Sequence, residues 1–146
     1  MAQIQGVDFL EITTPGLGQR CLYYAALISL NKPATEATTK ALKQDVHKEI
    51  QTFLARNTKY KRNDLHRALK LTDPNTSLKA TDEVLPALAN VLKVSKIQVL
   101  EGELVTEIAA LEPQDGNPLP IGYVPGHFYA LREKDALWDH ILPSFL

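Results

Sequence analysis

The chain holds one cysteine, Cys21, within Gly18-Gln19-Arg20-Cys21-Leu22-Tyr23-Tyr24-Ala25. A lone thiol cannot staple the fold, so its use must be sought in packing or in reactivity. Glycines at 16 and 18 lead straight into an apolar stretch, which sets Cys21 at the start of a helix. Backbone N–H groups at that end of a helix have no intrahelical partner and carry partial positive charge. A cysteine placed there is favoured as thiolate, the nucleophilic form. The same N–H groups, with those of Gly18 and Gln19 in the preceding loop, can hold the oxyanion of a tetrahedral intermediate. The competing reading is a small buried hydrophobe beside Leu22.

A thiolate nucleophile needs an imidazole to take its proton and later to protonate the leaving amine. Of four histidines, His47 and His66 lie among charged neighbours on helices, and His140 lies in the last expected strand. Only His127, in Gly126-His127-Phe128-Tyr129-Ala130-Leu131, follows a glycine at the start of a strand, where backbone access is good. The competing reading is a structural histidine in an apolar strand. Trp138, the only tryptophan, is expected in the core, with cover for the imidazole as the alternative.

The elements that must position this pair follow from periodicity. Helices are expected over 21–30, 35–56, 63–70 and 81–93. In the second, Leu42, Val46, Ile50, Phe53 and Leu54 recur at steps of three and four, one apolar face. Pro86 is tolerable in the fourth because it lies near the start. The period then changes. Residues 96–100 alternate as a strand, 103–111 suit strand or helix, and 118–124, 127–132 and 136–142 read as further strands. Helices first and strands last give an α+β class, helices packed on a small, mainly antiparallel sheet.

Composition bounds the function. A chain of 146 residues, 45% hydrophobic and 23% charged, can bury a core as one domain over 1–146. Sixteen basic residues against seventeen acidic leave no global field for nucleic acid or anionic lipid. The one basic run, Lys59-Tyr60-Lys61-Arg62, reads as a solvated helix entry. A single cysteine suits a reducing compartment, and no apolar run reaches membrane-spanning length. The expectation is a cytosolic monomer without metal or other cofactor, with no nucleic-acid or membrane partner. The end at Phe145-Leu146 would also suit a domain excised from a longer chain.

Three segments together resemble one family. Gly-x-x-Cys-Leu-Tyr-x-Ala is similar to the nucleophile segment of ovarian-tumour (OTU) family cysteine peptidases, which usually reads Asp-Gly-x-Cys-Leu-Phe/Tyr-x-Ala. Residues 82–100, Asp-Glu-Val-Leu-Pro-Ala-Leu-Ala-Asn-Val-Leu-Lys-Val-Ser-Lys-Ile-Gln-Val-Leu, resemble its helix-then-strand segment, Leu-x-Ala-Leu-Ala-x-x-Leu-x-x-x-Ile-x-Val. Gly126-His127-Phe128-Tyr129-Ala130-Leu131 resembles its histidine motif, His-Tyr-Asp/Asn-x-Leu. Order and spacing agree with the family as well.

The resemblance implies a papain-like OTU-type fold, Cys21 as nucleophile and His127 as general base and acid. The implied reaction is hydrolysis of isopeptide or peptide bonds at the C-terminal tail of ubiquitin or a ubiquitin-like protein, in the cytosol of its own cell or, for an effector or viral protein, of a host. Alternatives are another papain-like processing protease, cutting a polyprotein or leader, and a catalytically silent OTU-like module that binds ubiquitin. Gly18 stands where the family commonly has Asp. Tyr129 stands where an Asp or Asn usually orients the imidazole. Two carboxylates are candidates for that task. In a hairpin of 127–132 with 136–142 and a three-residue loop, Tyr129 pairs with Asp139, which then lies diagonal to His127. Asp8 is the other, since some family members take the acid from a segment before the nucleophile. A Cys/His dyad without a third group is the remaining option.

Overall fold

The computed structural model describes residues 2–15, 19–57, 63–76 and 78–134. Two short strands come first, β1 (Ala2–Ile4) and β2 (Val7–Ile12). Neither was expected from the sequence, because β2 buries only Phe9 outright and so shows almost no alternation to detect. Helix α1 (Cys21–Ser29) follows, and Cys21 through Leu27 are all buried. A helix apolar on every side must be enclosed, and α1 packs on the sheet with one flank and on α2 (Glu36–Arg56) with the other. Thr35 caps α2: its hydroxyl accepts from the Thr38 N–H at 3.1 Å, and its own N–H donates to the Thr38 hydroxyl at 2.8 Å.

Helix α3 (Asn63–Leu71) and α4 (Leu85–Leu92) complete the helical layer. The expected helix over 81–93 is shorter in fact. A 3₁₀ turn, Asp82–Val84, precedes α4, so that Pro86 falls in the first α-helical turn, where its missing N–H breaks no bond. Lys93, in the left-handed region at φ +59°, ends the helix.

The remaining strands are β3 (Lys96–Glu101), β4 (Leu104–Ala109), β5 (Leu119–Val124) and β6 (His127–Glu133). The segment over 103–111 is thus strand. The sheet runs β1-β2-β6-β5-β3-β4, antiparallel throughout except for β3 beside β5. One face meets the helices through Ile97, Leu119, Ile121 and Phe128. The other carries a smaller cluster of Ala2, Ile4, Phe9, Leu100 and Leu131, with Tyr129 packed against it. The architecture is α+β, helices on a mainly antiparallel sheet.

β6 has β5 along one edge and β2 along the other, with Ala130 opposite both Ile121 and Ile12. Tyr129 is paired with Gly122. Residues 136–142, with Trp138, Asp139 and His140, lie outside the described residues, as does the basic run over 59–62.

Candidate active site

Cys21 is the first residue of α1 and is 5% exposed. The N–H groups of the first turn surround it without intrahelical partners. Two residues earlier the chain turns sharply. Gln19 adopts φ +59°, a left-handed conformation uncommon for a residue with a side chain. Gly18, the other expected oxyanion donor, lies outside the described residues.

Arg20 fastens this turn to α2. Its Nε donates to the Thr39 hydroxyl at 3.2 Å, and its Nη2 lies 4.0 Å from the Glu36 carboxylate. Nearby Lys43 has its ammonium pKa pushed down, first by burial and then by the Arg20 charge. Two polar atoms around the cysteine are buried with no hydrogen-bond partner among the described residues, Gln19 Oε1 and the Tyr23 hydroxyl. Burial, and secondly the charge on Cys21, push the Tyr23 phenol well above its ordinary pKa, so it stays protonated.

His127 opens β6 directly after Gly126, whose φ of +82° makes the tight turn out of β5. That turn is held from two sides. Lys79 Nζ donates to the Gly126 carbonyl at 3.0 Å, and the Gly126 N–H donates to the Tyr123 hydroxyl at 3.3 Å. The Tyr123 and Phe128 rings meet with centroids 4.9 Å apart.

The partner of the imidazole is a residue that sequence reasoning missed. Nε2 of His127 lies 3.2 Å from the hydroxyl oxygen of Thr14, and that hydroxyl donates to the Phe128 carbonyl at 2.6 Å. Register explains the meeting. β2 and β6 pair from Phe9–Glu133 to Ile12–Ala130, and two further steps bring Thr14 opposite Phe128. Pro15 disfavours any but extended backbone at Thr14, which keeps it in line with β2. Thr14 is 4% exposed.

Of the two carboxylates expected at this point, only Asp8 lies within the described residues. Asp8 lies six residues back along β2, about 20 Å from Thr14 at strand rise, and accepts from Gln3 Nε2 at 2.7 Å. It is not brought to His127. Asp139 lies outside the described residues. Tyr129 is occupied elsewhere: a Cβ added to Gly122 would stand 2.1 Å from its ring, so the ring lies flat over that glycine. Burial, then the Glu11 charge, raise its phenol pKa.

A cavity of about 430 Å³ opens beside Cys21. Its lining includes Cys21 together with Gly126 and Phe128, the residues on either side of His127. Its far walls come from residues 79–82 and from Glu101 and Thr106 on β3 and β4. A thiol at a helix N-terminus and an imidazole at a strand start are the groups that acyl transfer needs. The cavity is lined by Cys21 and by both neighbours of His127, with His127 itself not among the lining residues. Among the described residues, no group of three His, Cys, Asp or Glu is placed to hold a metal, and no helix is long and apolar enough to cross a membrane.

The helix that opens with Cys21 packs against the strand that opens with His127. The chain has the fold of OTU domains. It superposes on the OTUD1 OTU domain with TM-score 0.61 at 18% identity, covering 84% of this chain and 85% of that one. The viral OTU domain protease from Taggert virus gives 0.60 at 16% identity, covering 86% and 80%. The Hazara virus OTU, solved bound to ubiquitin, gives 0.57 at 13%, covering 86% and 81%. No protein-family model matches the sequence, and no curated protein does.

Proposed function

We propose that the protein is a cysteine peptidase acting on the C-terminal tail of ubiquitin or a ubiquitin-like protein, with Cys21 as nucleophile and His127 as general base and acid. The observation that carries this reading is the shared cavity, lined by Cys21 at the start of α1 and by both neighbours of His127. The OTU-type fold and the ubiquitin-bound Hazara virus relative support the choice of substrate.

In the proposed reaction, Sγ of Cys21 attacks the scissile carbonyl carbon after its proton passes to His127. The oxyanion is held by N–H groups of the first turn of α1 and of the loop through Gly18 and Gln19. His127 then gives the proton to the leaving amine as the C–N bond breaks, leaving a thioester on Cys21. Water, deprotonated by His127, attacks the thioester and frees the thiol. No metal or other cofactor enters. A reducing cytosol keeps the thiol available.

A catalytically silent ubiquitin-binding module is the second reading, favoured by the 5% exposure of Cys21 and by the absence of a carboxylate on His127 among the described residues. A ubiquitin probe with a C-terminal electrophile separates the two. Covalent labelling abolished by Cys21→Ala is expected. Binding without labelling identifies the silent module, and neither binding nor labelling points to a different substrate, such as that of a processing protease.

A further inference from the structure

We propose that Thr14 is the positioning residue of His127, a neutral hydroxyl that fixes the imidazole with its proton on Nε2. The inference rests on the reading of Cys21 and His127 as a catalytic pair, and it concerns how the base is prepared.

The argument is one of proton count. The Phe128 carbonyl can only accept, so the 2.6 Å contact uses the single hydrogen of the Thr14 hydroxyl. What the hydroxyl oxygen then offers Nε2, 3.2 Å away, is a lone pair. Nε2 must therefore carry the hydrogen, and in the neutral ring Nδ1 is left as the base. The arrangement is rigid. Thr14 is 4% exposed, so water competes little for either bond, and its branched side chain is stiff about χ1. Both bonds span more than a hundred residues, so they form only when β2 is docked on β6. Among the described residues no carboxylate bonds to His127. Thr14 thus orients the ring without compensating the positive charge that appears on it.

The test uses the free protein and no substrate. In ¹⁵N-histidine spectra of the neutral ring, the Nε2–H form is expected to dominate in the wild type. Thr14→Val keeps the shape and deletes the hydroxyl. It should mix the tautomers and slow alkylation of Cys21 by iodoacetamide about tenfold, the scale of one hydrogen bond. Thr14→Ser should hold both readouts within about twofold of wild type. A merely structural threonine would alter melting temperature in both variants and leave the tautomer alone. The proposal is overturned by an Nδ1–H ring in the wild type, or by a folded Thr14→Val protein with unchanged tautomer and alkylation rate. Should Thr14→Val fail to fold, the wild-type tautomer and the serine variant decide. These readouts stand apart from ubiquitin, so a failure to cleave it leaves the result on Thr14 intact.

Discussion

Around Cys21 the support is local and apolar; around His127 it is distant and polar. The cysteine sits on a helix whose next six residues are all buried, and its loop is tied down by Arg20, the adjacent residue. The histidine stands at a strand end beside an exposed turn, and its partners arrive from far along the chain. Thr14 is 113 residues away in sequence, and Lys79 bonds to Gly126 across 47. A cleft made this way has one wall fixed by core packing and one fixed by a few hydrogen bonds. Substitutions that loosen core packing should register in stability, and loss of the hydrogen bonds that hold the His127 turn should register in chemistry.

The largest effect expected behind the helix wall is that of Leu22→Ala. Leu22 is fully buried, and the truncation should destabilise the fold by about 2–5 kcal/mol in denaturant titration. If it instead lowered only turnover, the division between the walls would fail. Next is Gly122→Ala, on β5 beside β6. The added methyl would meet the Tyr129 ring at 2.1 Å, and overpacking of this kind costs about 1–3 kcal/mol. Gly122→Ala together with Tyr129→Ala should recover much of that loss, which a double-mutant cycle would measure.

A smaller effect, of opposite sign, is expected at Tyr23. Its hydroxyl is buried with no partner among the described residues, so Tyr23→Phe should raise stability by about 1 kcal/mol. The same residue sets an alkaline limit. Its folded pKa is raised, so its contribution is present below about pH 10 and is lost as pH climbs above that, where the unfolded tyrosine ionises first. Tyr23→Phe should flatten that decline in chemical unfolding followed from pH 9 to 11. Smallest is Lys79→Ala. Lys79 is exposed, so the melting temperature should hardly move, while kcat/KM falls a few-fold as the Gly126 turn loosens. Equal losses in both would show that this wall, too, is held by packing.

The same division explains what the sequence disclosed. Cys21 and the four helices are written locally, in a glycine-led helix start and in apolar steps of three and four. His127 was legible for the same reason, a glycine before an apolar strand. What surrounds it was not. β2 takes an edge of β6, and β2 has too little alternation to be read as a strand. Once β2 is in place, the segment before Cys21 does supply a group to the His127 ring. It comes from Thr14 at the strand's near end, with Asp8 left at the far end. No local signal marks a threonine for that task, because its partner is set by sheet register alone.

The most direct test of the central claim is intact-mass measurement after incubation with a ubiquitin probe bearing a C-terminal electrophile. The account predicts one adduct, mapped to Cys21, absent in Cys21→Ala and formed at least about a hundredfold more slowly in His127→Ala, the scale of losing a general base. A folded wild-type protein that forms no adduct, or an adduct that persists in Cys21→Ala, would contradict it.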